Sequence, residues 1–145
     1  MAMSCFRYQR PKELADNPRL TIDIFKSDIV DARVLVLDHS GETRMHSHFD
    51  ADAVWFVLSG TANFYDENDT VHVLGPHEGA VIPKGTKYWF ESSGDEPLEI
   101  FRVAGKDTRV TRDTTNLSDM RAIQEVDQAN HPHLAIEILD GLPSA

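Results

Sequence analysis

Two histidines separated by one residue are the strongest chemical feature of the sequence. His46 and His48 lie in the segment ETRMHSHF, which we predict to be a β-strand. On a strand, side chains at positions i and i+2 point to the same face, about 7 Å apart. Two imidazoles that share one face at this spacing can chelate one metal ion. Histidine is also the commonest metal ligand in proteins. The alternative, two exposed strand histidines that bind nothing, stays open on this motif alone.

The elements that must position these histidines are short strands. From Thr21 onward, segments rich in valine, isoleucine and aromatic residues are broken by turn residues at intervals of about ten positions. The turns use Gly, Pro, Asn and Asp, so most strands should be antiparallel neighbours. This pattern predicts an all-β sandwich or barrel. The nine predicted strands cover residues 21–27, 32–40, 42–49, 53–60, 61–67, 70–76, 79–85, 87–93 and 97–105.

The chain divides into three parts by pattern. Residues 1–20 are predicted to form an N-terminal arm, with one helical turn in PKELAD, and residues 21–105 to form the barrel. Residues 106–145 are predicted to be a C-terminal appendage with a short helix capped by Ser118. The arm and the appendage would dock on the barrel or on a partner subunit.

Two stretches of the chain resemble the two sequence motifs of the cupin superfamily. GETRMHSHFDADAVWFVLSG is similar to the first motif, in which His-x-His is followed by a glutamate and a closing glycine, here Gly60. LGPHEGAVIPKGTKYWFES is similar to the second, with Pro83 and Gly85 in register. The resemblance covers roughly residues 30–104. It implies a double-stranded β-helix, which is a jelly-roll barrel, and a homodimer.

The departures from the family motifs concern the metal ligands. Ala53 stands where the resemblance places a glutamate, and Tyr88 stands where it places a third histidine. Asp52 is a candidate replacement if a small register shift turns it inward. Tyr88 is a candidate as a phenolate, although a phenol pKa near 10 makes this favourable only beside a highly charged ion such as ferric iron. The resemblance implies a metal on His46 and His48, and we predict either iron, zinc, nickel or manganese on these two with Tyr88 and Asp52 as candidate further ligands, or no metal.

Strand parity extends the candidate site to a pocket. Trp55 and Val57 lie even steps from position 53 and should share its inward face. His72 lies an even step from Leu74, whose family counterpart points inward, and Arg44 lies an even step from His46. A buried barrel histidine with its own partners and a solvent-facing arginine are the alternatives for these last two. Such a pocket suits an organic ligand with one or two oxygens.

Two classes of function fit these residues. The first is a small-molecule enzyme of dioxygenase, isomerase or cyclase type that acts on a carbonyl or enol ligand, with His46, His48 and Tyr88 as catalytic residues. With a metal, the ion would act as a Lewis acid, and without one the His and Tyr pair would transfer protons. The second is a non-catalytic binding or sensing module that has lost its metal.

Composition excludes several partners. The 145 residues contain 14 Lys and Arg against 24 Asp and Glu, a formal charge of −10, so we predict no nucleic-acid or anionic-membrane partner. The same charge should disfavour highly anionic substrates. No apolar run approaches the roughly 20 residues that span a bilayer. The single cysteine, Cys5, and an N-terminus without an apolar signal core predict a cytoplasmic protein.

Overall fold

The fold is all β, as the sequence predicts. A computed structural model describes residues 2–12, 18–38 and 44–109, and the backbone of residues 136–138. No helix that is long and apolar enough to cross a membrane occurs in these ranges. The strands are β1 (Phe6–Tyr8), β2 (Arg19–Lys26), β3 (Val30–Leu37), β4 (Ala51–Ser59), β5 (Ala62–Asp66), β6 (Val71–Leu74), β7 (Gly79–Ile82), β8 (Tyr88–Ser92), β9 (Leu98–Lys106) and β10 (Ile136–Ile138).

Two antiparallel sheets enclose the core. The larger sheet has the order β2-β3-β9-β4-β7 and the smaller has the order β6-β5-β8. On β4, buried and exposed residues alternate strictly from Ala51 to Leu58, which is the period-two pattern of a strand with one face on a core. Side chains from both sheets meet there, so the sheets close into a jelly roll. The core consists of Leu35, Leu37, Trp55, Val57, Ala62, Phe64, Tyr88, Phe90, Leu98 and Ile100.

The outer face of β2 and β3 has its own apolar cluster. Tyr8 of β1 packs against this cluster, and its hydroxyl donates to Oε1 of Glu99 on β9 at 2.5 Å. The backbone of β1 also pairs antiparallel with that of β10. A segment near each end of the chain is therefore joined in one small sheet. The cluster consists of Leu20, Ile22, Val34 and Val36.

Eight of the nine predicted segments contain a strand, and the exception is 42–49. Among its described residues, 44–49, only His46 pairs, in a single antiparallel bridge with Tyr88. A continuing ladder would place His48 opposite Thr86, but the carbonyl of His48 accepts its hydrogen bond from Gly85 at 2.6 Å instead. Gly85 has a φ of 83°, so the backbone turns there and pairing ends after one bridge.

Parts of the three-part division lie beyond these ranges. The helix predicted from Ser118 falls outside the described residues, and so does most of the helical turn in PKELAD. The boundaries at 1–20, 21–105 and 106–145 stay predictions.

Candidate functional site

The structure brings His46, His48 and Tyr88 together at one end of the barrel. The two imidazole centroids lie 5.3 Å apart with nearly perpendicular ring planes. The Tyr88 ring centroid lies 4.4 Å from that of His46 and 6.3 Å from that of His48. The bridge holds this arrangement, because the amide of His46 donates to the carbonyl of Tyr88 at 2.9 Å and the reverse bond is 3.0 Å long. The predicted catalytic trio is therefore one cluster.

The backbone fixes which nitrogen of His46 is available. Its Nδ1 contacts the carbonyl oxygen of Arg44, which can only accept a hydrogen bond, so Nδ1 carries the proton. Nε2 is then the unprotonated nitrogen, free to accept a proton from a ligand. Burial lowers the pKa of His46, with the Arg44 carbonyl acting in the opposite direction. His46 is consequently a neutral, oriented base at neutral pH.

The Tyr88 hydroxyl is held as a proton donor. Trp55 Nε1 donates to its oxygen at 3.1 Å, and the guanidinium of Arg102 interacts electrostatically with it. Both neighbours are donors only, so the hydroxyl proton of Tyr88 remains free for a ligand. Burial raises the pKa of Tyr88, against smaller opposing effects led by the charge of Arg102. The side chain is therefore a neutral phenol at neutral pH.

Three ionised residues for which the sequence predicts no role share the inward side of the larger sheet. Arg102 lies on β9 and is only 4% exposed, while Arg33 and Asp31 are buried on β3. Arg102 lies over the Trp55 ring, with Cζ 5.6 Å from its centroid. The alternation Leu98, Ile100, Arg102 in the predicted strand 97–105 was the signal that could have placed Arg102 inside.

The remaining predicted residues are divided between the core and the surface. Trp55 and Val57 are buried in the core as predicted. Asp52 lies on the outer face of β4, where its Oδ1 accepts a hydrogen bond from the Lys84 amide at 2.8 Å, so the register shift that would turn it inward does not occur. The side chain of Arg44 is exposed. His72 is also exposed, and its Nε2 lies 3.7 Å from Oδ2 of Asp66.

This barrel is similar to those of known proteins. Residues 33–104 match the profile of the Cupin domain family, Cupin_2. The chain belongs to the cupin superfamily. A comparison with curated proteins finds no match.

Solved cupin structures have the same fold. An uncharacterised conserved protein with a double-stranded β-helix domain from Klebsiella pneumoniae has a TM-score of 0.61 and 22% identity, over 70% of this chain and 80% of that one. An RmlC-like cupin family protein from Methanocaldococcus jannaschii has a TM-score of 0.61 and 14% identity, over 75% and 95%. A cupin superfamily protein from Desulfitobacterium hafniense has a TM-score of 0.59 and 17% identity, over 66% and 84%. At these identities the likeness establishes the double-stranded β-helix alone.

Cupins often bind metals, but the described residues of this cupin do not form a metal site. Among them, no group of three or more His, Cys, Asp or Glu side chains could hold an ion. Ala53 points inward in place of a carboxylate, and Tyr88 is a protonated phenol that already accepts a hydrogen bond from Trp55. The positive charge of buried Arg102 also acts on His48. Two imidazoles beside a fixed cation are a weak site, since a first-row divalent ion takes three or four ligands.

The metal content of the purified protein should reflect this. Tag-free protein, dialysed without chelator, should hold well below one equivalent of iron, zinc, nickel or manganese by plasma mass spectrometry. The double variant His46→Ala, His48→Ala should hold the same amount, because two nitrogens alone bind weakly. A full equivalent that the double variant loses would contradict this prediction and would require a further ligand from outside the described residues.

Acid should destabilise the fold through His48. Burial lowers the pKa of His48 from 6.5 to about 3, assisted by the charges of Arg102, His46 and Arg33. Between these two pH values the unfolded chain binds a proton that the folded chain does not, so stability rises with pH. The contribution of neutral His48 is therefore complete above about pH 6.5 and is lost as the pH falls toward 3. The expected loss at pH 5 is about 1–2 kcal/mol.

Urea unfolding at pH 7.5 and pH 5 measures this loss. The His48→Asn variant should lose less stability than wild type on acidification, because it lacks the titrating group. It should keep part of the pH dependence through His46, whose pKa burial also lowers. His72→Asn, which removes an exposed histidine, is the matched control and should behave as wild type does. Equal losses in wild type and His48→Asn would show that His48 is protonated in the folded state.

Proposed function

We propose that this cupin is a small-molecule enzyme that moves a proton on a carbonyl compound, converting it to its enol or an isomer. The observation that carries the proposal is the pairing of His46, a neutral base with a fixed tautomer, with Tyr88, a phenol whose proton is free to be donated. A neutral base and a neutral acid side by side are what enolisation needs. The 4.4 Å separation of their rings allows one small ligand to contact both.

The proposed chemistry needs only side chains of this chain. Nε2 of His46 removes a proton from the carbon next to the carbonyl, and the electron pair of that C–H bond moves into the new carbon–carbon double bond. The hydroxyl of Tyr88 donates a hydrogen bond, or its proton, to the carbonyl oxygen, which gains the negative charge. Returning the proton from His46 to a different carbon isomerises the substrate. His48 offers a second neutral nitrogen that can hydrogen-bond and orient the ligand.

Hydrogen–deuterium exchange tests this proposal without knowledge of the product. Wild-type protein is incubated in D₂O, with a chelator present, with a panel of small ketones, β-diketones and keto acids, and loss of each α-proton signal is followed by proton NMR. At least one compound should exchange faster than in buffer, and His72→Asn should match wild type. If no compound exchanges faster with wild type than with buffer, the proposed reaction is wrong.

The second candidate function is a binding module without catalysis. It is favoured by the absence of a third ligand beside His46 and His48 among the described residues, because cupin chemistry often uses a metal. The same experiment separates the two candidates. A compound that stabilises the protein in a thermal shift assay, yet exchanges no faster than in buffer, would identify a binding module.

We also propose that the protein is a homodimer that pairs through the outer face of β4 and β7. Val54 lies between Val81 of β7 and Val103 of β9 in the sheet register. Val54 is 49% exposed and Val81 is 72% exposed, and Phe56 next to them is 38% exposed. An apolar row of this kind on a sheet favours burial against a second copy, since a face on a two-fold axis packs against itself.

Sedimentation equilibrium of two charged variants tests the dimer. Val54→Asp should shift wild-type dimer toward monomer, because a carboxylate would be desolvated at the interface. The fold should survive, since residue 54 is half exposed in a single chain. Val73→Asp, at a 63% exposed valine on β6 of the other sheet, is the matched control and should remain dimeric. A monomeric wild type, or a dimer that only Val73→Asp disrupts, would show that this face is not the interface.

A further inference from the structure

On the inward side of β3 and β9, three ionised side chains leave one positive charge without a paired carboxylate. Asp31 and Arg33 neutralise each other, because Nε of Arg33 donates to Oδ1 at 3.3 Å and its Nη2 contacts Oδ2. Arg102 is 4% exposed and forms no salt bridge with any carboxylate of the described residues. Guanidinium groups stay protonated in proteins, so one fixed cation faces the end of the barrel where the histidines lie.

The neighbours of Arg102 do not neutralise that charge. Its closest aromatic neighbours are the face of the Trp55 ring, 5.6 Å from Cζ, and Tyr88, whose hydroxyl is uncharged, while the charges of Asp31 and Arg33 act on it in opposite directions. Its Nε has no hydrogen-bond partner although the atom is buried. Burying an unpaired charge is costly, and a donor without an acceptor adds to that cost. An anionic group of a ligand would supply both the missing charge and the missing acceptor.

We propose that Arg102 binds a carboxylate of the substrate, so that the substrate class is the small oxo acids. This inference rests on the proposed function, in which Tyr88 contacts the carbonyl of the same ligand. Arg102 and the Tyr88 hydroxyl both lie against the Trp55 indole, so the carboxylate and the carbonyl must be close neighbours in the ligand, as in 2-oxo and 3-oxo acids. The planar guanidinium matches a carboxylate through two parallel hydrogen bonds.

Small side chains surround this position on the larger sheet. Beyond Trp55 and Arg102, the buried residues of β4 and β9 form a small cluster of alanines against which Ile82 packs. These alanines are Ala51, Ala53 and Ala104.

The net charge of −10 does not oppose an anionic ligand here. Surface carboxylates are screened over about 10 Å by salt, whereas a buried guanidinium acts at contact distance in a poorly solvated site. The net charge describes the whole molecule, whereas the inward side of β3 and β9 holds one cation, Arg102, that no carboxylate of the described residues pairs with. Local charge decides the binding of a small ligand.

Matched acid and amide pairs test this inference by calorimetry. Pyruvate, 2-oxobutyrate, acetoacetate and benzoate are titrated into wild type alongside the corresponding primary amides, which keep the shape and lose the charge. At least one acid should bind about tenfold to hundredfold more tightly than its amide, the usual worth of a charge-assisted hydrogen-bond pair. Equal affinities for acids and amides, or no binding of any acid, would overturn the proposal with wild-type protein alone.

Variants then locate the preference. Arg102→Gln should abolish the preference for acids over amides. Arg102→Lys keeps the positive charge but cannot donate two parallel hydrogen bonds, so it should reduce the preference about tenfold. Lys87→Gln removes a cation that is exposed on the surface and should retain the full preference. If Arg102→Gln fails to fold, Arg102→Lys carries the test. A preference for acids that is as large in Arg102→Lys as in wild type would contradict a site at Arg102. So would a preference that falls as much in Lys87→Gln as in the Arg102 variants.

A variant that lacks the base separates this inference from the proposed reaction. His46→Asn should still prefer acids over amides, because it keeps Arg102. Acid-selective binding by wild type without α-proton exchange would support the carboxylate site and reject the reaction. Exchange of neutral ketones as fast as that of oxo acids would support the reaction and reject the carboxylate site.

Discussion

Replacing His46 by asparagine should lower the rate of α-proton exchange by about 10²- to 10⁴-fold, the usual contribution of a general base. Asparagine keeps a polar group near the carbonyl of Arg44 but offers no nitrogen that can accept a proton at neutral pH. The loss should fall on the maximal rate rather than on KM, because His46 acts on the reacting bond. The measurement is the exchange rate by NMR as a function of substrate concentration.

Two further variants make this result specific. Tyr88→Phe should also lower the maximal rate, since it removes the hydroxyl from the ring that lies 4.4 Å from that of His46. His72→Asn, which replaces an exposed histidine on β6, should leave the rate unchanged. A His46→Asn enzyme that retains most of the wild-type rate would remove His46 from the role of base, and His48 would then take its place.

The fold was predictable from the sequence because strand patterning is local. The alternation on β4 from Ala51 to Leu58 is visible in the sequence and appears unchanged in the structure. The segment 42–49 failed for a reason that is not local. Its pairing ends because the carbonyl of His48 accepts a hydrogen bond from Gly85, which lies in a distant turn, whereas a continuing ladder would use the amide of Thr86.

The site was predictable only in part. The alternation of inward and outward side chains predicts the middle of a strand more reliably than its ends. Trp55 and Val57, in the middle of β4, were placed inward correctly. Asp52 lies near the start of the same strand, and the alternation places it on the outer face. It could bind a metal in the barrel only if the strand register shifted by one residue, and the register does not shift. Arg102 was overlooked because a charged residue in an apolar segment is ordinarily a surface residue. Only its alternation with Ile100 marks it as inward.

The core and the candidate site share Trp55. The Trp55 ring packs against Phe90 at 4.8 Å, and its Nε1 donates to the Tyr88 hydroxyl. The indole thus links the apolar end of the barrel to the polar end. Changes in the packing around Phe90 should therefore reach the acid of the proposed reaction.

Replacing Phe90 by alanine should lower the free energy of unfolding by about 3–5 kcal/mol. Phe90 is fully buried, stacks on Phe64 at 4.7 Å and contacts Trp55, so removing its ring leaves a cavity that the closed barrel cannot collapse around. Urea unfolding at one protein concentration measures the loss. Phe25→Ala is the matched control, because Phe25 is 57% exposed on β2 and should cost less than about 1 kcal/mol.

The same variant tests the link through Trp55. If Phe90 supports the indole, Phe90→Ala should lower the exchange rate even under conditions where the variant is fully folded, because Trp55 no longer holds the Tyr88 hydroxyl in place. Phe25→Ala should leave that rate unchanged. A Phe90→Ala protein that is destabilised yet exchanges protons at the wild-type rate would mean that Tyr88 is positioned by its backbone bridge to His46 alone.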